Sequence, residues 1–217
     1  SVDNVSAVNI THLSINDLRE VAQACDDLNQ QAGCNKAIPH VAARNVQSEK
    51  ELDNFVKFCE AKGINKALVI GGSIPRNKTN IFQNDVAVAT ILKSANIKVD
   101  CGIYPQNETE LEIKTKLSIF NNAITQLCMD ENAINRLPLL DTIRIGVPSM
   151  CSVKGIYKYL KLCGNDSYKY IFKNYKALNY LDHNGLRVDK FIQKLKFSNY
   201  HIYNFGKLDK TINKLLM

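Results

Sequence analysis

The stretch that decides the fold is "AIPHVAARNVQSEKELDNFVKFCEAKGINKALVIGG", residues 37–72. It begins with a short run of strand-forming residues, 37–43, and ends with a second such run, 66–72. Between them, Leu52, Phe55 and Cys59 recur at helical spacing, and Gly63 supplies a helix end. The stretch therefore predicts a strand, a helix and a second strand in succession.

The same unit recurs along the chain. Runs typical of strands occupy residues 5–9, 37–43, 66–72, 97–104, 121–126, 141–147 and 200–205, and helical patterns follow most of them. Apolar strands that alternate with amphipathic helices indicate a parallel sheet covered by helices, either doubly wound or closed as a barrel. Because no G-x-G-x-x-G follows the first run and the composition does not break between two halves, the sequence favours an α/β fold of the (β/α)8 TIM-barrel class. Residues 1–217 are predicted to form a single domain.

The predicted barrel is one strand short. A (β/α)8 barrel needs eight strands, and the runs above number seven. We expect the first strand to precede Ser1 and to carry an acidic residue near its carboxyl end; the alternative is an incomplete, open barrel of seven strands. The N-terminal unit of the barrel would then be missing from this chain.

Composition excludes several classes of protein. The chain has 217 residues, of which 45% are hydrophobic and 23% charged, as in a globular domain with a sizeable core. No apolar run approaches the roughly 20 residues that span a bilayer, and no signal peptide is evident. Seven cysteines, an odd number without a C-x-x-C pair, predict packing residues in place of disulfides or a zinc site. The sequence therefore indicates a cytoplasmic protein with no membrane partner and no metal.

Positive charge is concentrated in the last third of the chain. Residues 154–217 contain 13 Lys or Arg and 4 acidic residues. A solvated surface explains this excess, as does a site for a polyanionic ligand or a nucleic acid. Since aromatic residues do not interleave with basic clusters, no nucleic-acid partner is predicted.

Ligands of a TIM barrel bind at the carboxyl ends of its strands. That rule alone nominates residues at the ends of the predicted strands. They are Asn9, Arg44, Gly72, Ser73, Tyr104, Gln126, Pro148, Asn204 and Lys207.

Six strand-end segments carry a resemblance to a known family. They are "IPHVAARN", "ALVIGGS", "CGIYPQNETE", "NNAITQLCMDE", "IRIGVPSM" and "HIYNFGK". Their order and approximate intervals resemble those of the methylenetetrahydrofolate reductase family of flavin-dependent (β/α)8 barrels, over nearly the whole chain. The resemblance implies an oxidoreductase that binds FAD, accepts a hydride from NAD(P)H and reduces methylenetetrahydrofolate to methyltetrahydrofolate.

The resemblance also implies site residues. The positions that match flavin contacts are His40, Gly71, Gly72, Ser73 and Tyr104. Gln126 matches the amide that contacts the folate pterin, whose edge presents donors and acceptors that a Gln amide can meet. Lys207 matches a basic residue near the substrate. No catalytic residue is assigned, and a homo-oligomer is compatible with the sequence.

The chain departs from the family at its acidic and histidine positions. Ser73 stands where the family has a carboxylate, Glu108 replaces a flavin-contacting histidine, and the family's catalytic Glu belongs to the first strand, before this chain. The alternative function is therefore a non-catalytic flavin- or pterin-binding barrel, or a partner subunit. Each residue also has a structural interpretation: a core histidine for His40, a rim hydrogen bond for Gln126, a surface cation for Lys207.

Overall fold

A computed structural model describes residues 7–12, 16–32, 36–72, 80–138, 141–149, 180–182 and 185–203. Strands and helices alternate along most of this part of the chain. In chain order the elements are β1 (Val8–Ile10), α1 (Leu18–Ala32), β2 (Ala37–Ala42), a 3-10 turn (Ala43–Asn45), α2 (Glu49–Lys62), β3 (Lys66–Ile70), α3 (Asp85–Ser94), β4 (Lys98–Ile103), α4 (Glu110–Ile119), β5 (Ala123–Thr125), α5 (Glu131–Asn135), β6 (Ile143–Pro148), β7 (Leu181–Asp182), β8 (Gly185–Leu186), α6 (Val188–Ile192) and β9 (Tyr200–Tyr203).

Seven of the strands form one sheet in the order β1-β2-β3-β4-β5-β6-β9. The strands run parallel in the pairs β1–β2, β2–β3, β3–β4, β5–β6 and β6–β9. All seven strands predicted from the sequence are confirmed, with ends that differ from the predicted ends by a few residues. The α/β class with a parallel sheet is therefore confirmed, whereas closure into a complete (β/α)8 barrel stays a prediction.

The helix predicted within residues 37–72 begins and ends where its signals indicate. Ser48 Oγ accepts a hydrogen bond from the N–H of Glu51 at 3.1 Å, which caps the first turn of α2. Gly63 ends the helix in the left-handed conformation, with φ of 66°. Leu52, Phe55 and Cys59 are its buried residues, so the helical spacing in the sequence identified the core-facing side correctly.

Two compact units make up the chain. The first comprises Ser1–Gly102 and Leu117–Asn122, and the second comprises Ile103–Lys116 and Ala123–Met217. The assignment of residues 1–217 to a single domain stays a prediction.

In the first unit, the two faces of the sheet differ in polarity. Side chains alternate between faces along a strand, and the registers place Val41, Val69 and Cys101 on one face, fully buried. The opposite face carries the ion pair of Lys66 Nζ with Asp100 Oδ2, at 2.9 Å. The buried Asp100 also accepts a hydrogen bond from Asn122 Nδ2 at 2.7 Å. Its negative charge is therefore balanced within the unit.

The second unit contains a close backbone approach at Gly146. Its N–H donates to Thr125 Oγ1 at 2.7 Å, and Tyr203 Oη donates to Thr125 O at 3.1 Å. A Cβ atom on Gly146 would lie 2.3 Å from Thr125 O and 2.6 Å from Tyr203 Cε2. Glycine is therefore the residue that lets β5, β6 and β9 pack at this point.

The cysteines that the structure describes are buried and reduced, namely Cys25, Cys59, Cys101 and Cys128. Burial raises the pKa of the Cys25, Cys59 and Cys128 thiols to about 12, so they are protonated at neutral pH. Their interpretation as packing residues is confirmed for these four; Cys34, Cys151 and Cys163 lie outside the described residues. Within the same described ranges, no helix has both the length and the apolar character needed to cross a membrane.

Candidate functional site

Arg44 ties the carboxyl ends of β2 and β3 together. Its backbone N–H donates to Gly71 O at 3.1 Å, and its Nη2 donates to Gly72 O. Because the carboxyl ends of parallel strands meet at one edge, and ligands of α/β sheets bind at that edge, the Gly71-Gly72 turn lies where the first unit is expected to bind a ligand.

The turn has no room for side chains. Gly72 has a φ of 92°, and a Cβ on it would lie 2.9 Å from Asn45 Oδ1 and 3.3 Å from Ala42 Cβ. A Cβ on Gly71 would lie 2.7 Å from Arg44 Nη1. Glycine at position 72 is therefore required by packing against Asn45 and Ala42, and the turn carries no side chain of its own.

Asn45 places a polar group under this turn. The residue is 4% exposed, and its Oδ1 has no hydrogen-bond donor in the part of the chain that the structure describes. Buried amide oxygens are almost always hydrogen-bonded, since an unpaired one costs about 1 to 3 kcal/mol. Asn45 Oδ1 is therefore an unsatisfied acceptor enclosed in the packing of the strand ends, next to the Gly72 turn.

His12 fixes the loop after β1 against the end of β2. Its Nδ1 accepts a hydrogen bond from the N–H of Ala42 at 3.2 Å, so the ring proton sits on Nε2, which donates to Asn16 O at 3.1 Å. Burial lowers the pKa of His12, and this effect exceeds the raising effects of Asn16, Glu51 and Asp17. The imidazole is therefore neutral at pH 7 and holds the strand end in place.

The His12 contacts predict a pH-dependent stability. The pKa of His12 is near 6.5 in the unfolded chain and lower in the folded chain. The contribution of neutral His12 to the free energy of unfolding is therefore complete above pH 6.5 and declines as the pH falls toward the folded pKa. The free energy of unfolding can fall by up to about 1.4 kcal/mol per pH unit in this range. Urea unfolding at pH 7.5 and 5.5 should show a smaller pH-dependent loss for His12→Gln than for the wild type; equal losses would contradict the assignment of a depressed pKa.

The flavin contacts predicted in the first unit do not all lie at one place. Gly71 and Gly72 lie at the carboxyl edge beside Arg44, which the strand-end rule had also nominated. His40 is buried within β2, in register with Leu68 and ahead of the strand's end at Ala42. Ser73 lies outside the described residues.

Tyr104 and Gln126 belong to the second unit and follow adjacent strand ends. Tyr104 is 37% exposed, with Lys116 Nζ 5.9 Å from its ring centroid. The Gln126 N–H donates to Ile103 O at 2.7 Å, and its half-buried side-chain amide makes no hydrogen bond to another described residue. The amide is therefore available to a ligand. Lys207 lies outside the described residues.

Acidic residues that follow β4 and β5 are used in local structure. Glu108, the acid at the family's histidine position, accepts a hydrogen bond from the N–H of Tyr104 at 3.0 Å. Asp130 caps α5, and Glu131 accepts a hydrogen bond from Tyr180 Oη. These three carboxylates contribute to turns and caps.

Two residues of the site were missed by sequence reasoning. Asn45 follows the nominated Arg44 by one position, and His12 follows β1 by two. Their contacts are with Gly72 and Ala42, which are distant in sequence. A search for polar residues up to three positions beyond each predicted strand would have found both.

No cluster of three or more His, Cys, Asp or Glu side chains that could hold a metal ion occurs among the described residues. No protein-family model matches the sequence. No curated protein matches it either. The resemblance to the methylenetetrahydrofolate reductase family therefore rests on the strand-end segments and their order.

Proposed function

We propose that the protein is a flavin-dependent oxidoreductase of one-carbon folate metabolism, which uses NAD(P)H to reduce methylenetetrahydrofolate to methyltetrahydrofolate. The observation that carries the proposal is the arrangement of the first unit's carboxyl edge. There a bare Gly71-Gly72 turn lies against a buried amide oxygen without a donor. The parallel strands of the sheet lie side by side in the order in which they occur along the chain. This order is the one expected of the family's barrel, and it supports the proposal.

The residues of this edge fit FAD as cofactor. The Gly71-Gly72 turn carries no side chain of its own, so a planar ring can lie closely against its outer side. The opposite side of Gly72 is filled by Asn45 and Ala42. FAD held at this edge would supply the chemistry of hydride transfer between NAD(P)H and the folate.

The chain's own residues bind and orient the reactants in this proposal. Arg44 and His12 hold the strand ends together through hydrogen bonds to the backbone of Gly72 and Ala42. In the second unit, Gln126 offers an amide with both donor and acceptor groups to the pterin. Ser73 and Lys207 keep the roles that the resemblance implies.

A second function, flavin or pterin binding without catalysis, is favoured by one observation. Glu108, Asp130 and Glu131 are occupied in turns, caps and side-chain contacts, so these carboxylates are not poised to donate a proton to the substrate. Steady-state oxidation of NAD(P)H by the FAD-loaded chain, with and without methylenetetrahydrofolate, separates the two functions. Folate-dependent turnover supports the oxidoreductase, and saturable FAD binding without turnover supports the binding protein.

Substitution Gln126→Ala should weaken folate binding by about 1 to 3 kcal/mol, the cost of leaving a buried polar partner unpaired. The melting temperature and the FAD content should stay nearly unchanged, because the amide makes no hydrogen bond within the described chain. Folate titration and thermal unfolding of the same variant check both statements.

The matched control is Gln193→Ala, which changes an exposed glutamine of the same unit and should alter neither property. A Gln126→Ala protein that melts earlier while binding folate with wild-type affinity would assign Gln126 to the barrel rim and remove its role in pterin recognition.

A further inference from the structure

Two strand ends of the second unit bring an aromatic ring and an amide side by side. Tyr104 follows β4, Gln126 follows β5, and the N–H of Gln126 donates to Ile103 O at 2.7 Å. In a parallel ladder this bond places Gln126 level with Tyr104, one strand spacing of about 4.8 Å away. Level residues of adjacent strands point to the same face of a sheet, so the ring and the amide are neighbours.

Both side chains are accessible to a ligand. The residues just before them, Ile103 and Thr125, are fully buried, whereas Tyr104 is 37% exposed and Gln126 is half-buried. The Gln126 side-chain amide makes no hydrogen bond to another described residue. This strand edge therefore exposes aromatic surface beside an amide that can bind a ligand.

Two charged residues contact Tyr104 from the side of α4. Glu108 Oε2 accepts a hydrogen bond from the Tyr104 N–H at 3.0 Å, and Glu108 Oε1 forms an ion pair with Lys116. Lys116 Nζ lies over the Tyr104 ring, 5.9 Å from its centroid. One face of the ring is therefore occupied by a cation, and a planar ligand packs against the ring surface that points away from Lys116.

The chemistry of the pair suits a flat heterocycle with a polar edge. A tyrosine ring packs favourably on another ring in an offset stack or edge to face, and a glutamine amide offers an acceptor oxygen beside two donor N–H groups. The pyrimidine edge of a pterin carries a donor N–H next to an acceptor C=O, so one amide can meet both. A bicyclic ring whose edge lies at Gln126 also reaches Tyr104, since the two residues are one strand apart.

We propose that Tyr104 and Gln126 bind the same ring, the pterin of the folate: the tyrosine ring stacks on the pterin, and the amide recognises its N–H/C=O edge. This inference rests on the proposed function, because it takes a folate as the substrate. It differs from the resemblance, which implies that Tyr104 contacts the flavin, and it follows from the adjacency of the two strand ends.

Equilibrium dialysis of the full chain against folic acid and, separately, against FMN tests whether the two residues share one ring. Tyr104→Leu keeps an apolar side chain and removes the ring. It should raise the dissociation constant of folic acid by about 3- to 10-fold, as for loss of an aromatic pair, and leave that of FMN unchanged. Gln126→Ala should likewise weaken the binding of folic acid alone, and Tyr104→Phe, which keeps the ring, should rescue the loss seen in Tyr104→Leu.

The matched control is Tyr200→Leu, which removes a half-buried tyrosine ring of the same unit, in β9. It should leave the dissociation constants of both ligands unchanged, and thermal unfolding verifies that each variant is folded under the conditions of dialysis.

The inference is overturned if Tyr104→Leu weakens FMN and not folic acid, which would assign the ring to the flavin. It is also overturned if Tyr104→Phe loses as much affinity as Tyr104→Leu, which would assign the effect to the hydroxyl group. Wild-type protein that binds no folic acid overturns the proposed function and this inference together. Wild-type affinity for folic acid in Tyr104→Leu overturns this inference alone.

Discussion

Replacing Gly146 by alanine should lower the free energy of unfolding by at least about 3 kcal/mol, the upper end of the usual cost of overpacking an interior. The added methyl group would lie 2.3 Å from Thr125 O, far inside van der Waals contact. Thr125 O is a main-chain atom of β5 and already accepts from Tyr203 Oη, so β5 or β6 would have to move. Urea unfolding of the variant, compared with the wild type, measures the loss.

A matched strand glycine provides the control for this substitution. Among the described residues, a Cβ on Gly102, in β4, would meet only Ile70 Cγ2, at 3.3 Å. Because Ile70 would have to shift by only a few tenths of an ångström, Gly102→Ala should change stability by less than about 1 kcal/mol. Equal losses in the two variants would contradict the close approach at Gly146.

Gly72→Ala is expected to have the second largest effect, on both stability and flavin binding. A left-handed φ strains an alanine by about 1 to 3 kcal/mol, and the contact with Asn45 Oδ1 at 2.9 Å adds overpacking. The same methyl group would press on Asn45 and Ala42 and displace the turn on which the flavin is proposed to lie. We expect a lower melting temperature and loss of measurable FAD binding.

Gly63→Ala isolates the backbone contribution to that effect. Gly63 has a φ of 66°, and a Cβ there would meet no atom of the described residues within 4 Å. It should therefore show the conformational strain without the close contact and keep full FAD binding. If Gly72→Ala were no more destabilising than Gly63→Ala and retained FAD, the bare turn would have no role in the site.

The fold could be predicted from the sequence because its signals are local. Short apolar runs mark all seven strands of the sheet, and Ser48 and Gly63 mark the ends of α2 through contacts within a few residues. The hairpin of β7 and β8 was not predicted, since strands of two residues have no measurable period.

The candidate site could be predicted only in part, because it depends on contacts between distant residues. The rule that ligands bind at strand ends nominated Arg44 and Gly72, and in the structure a hydrogen bond joins the Arg44 side chain to the Gly72 carbonyl. Asn45 lies next to Gly72, and His12 forms a hydrogen bond with Ala42. Both contacts arise from the packing of separate strand ends. No local pattern in the sequence encodes either contact.

Titration of the full-length chain with FAD, followed by quenching of flavin fluorescence, tests the central claim most directly. The account predicts saturable binding of one flavin per chain, retained in Gly63→Ala and lost in Gly72→Ala. Wild-type protein that stays colourless and leaves the fluorescence of added FAD unquenched would contradict it.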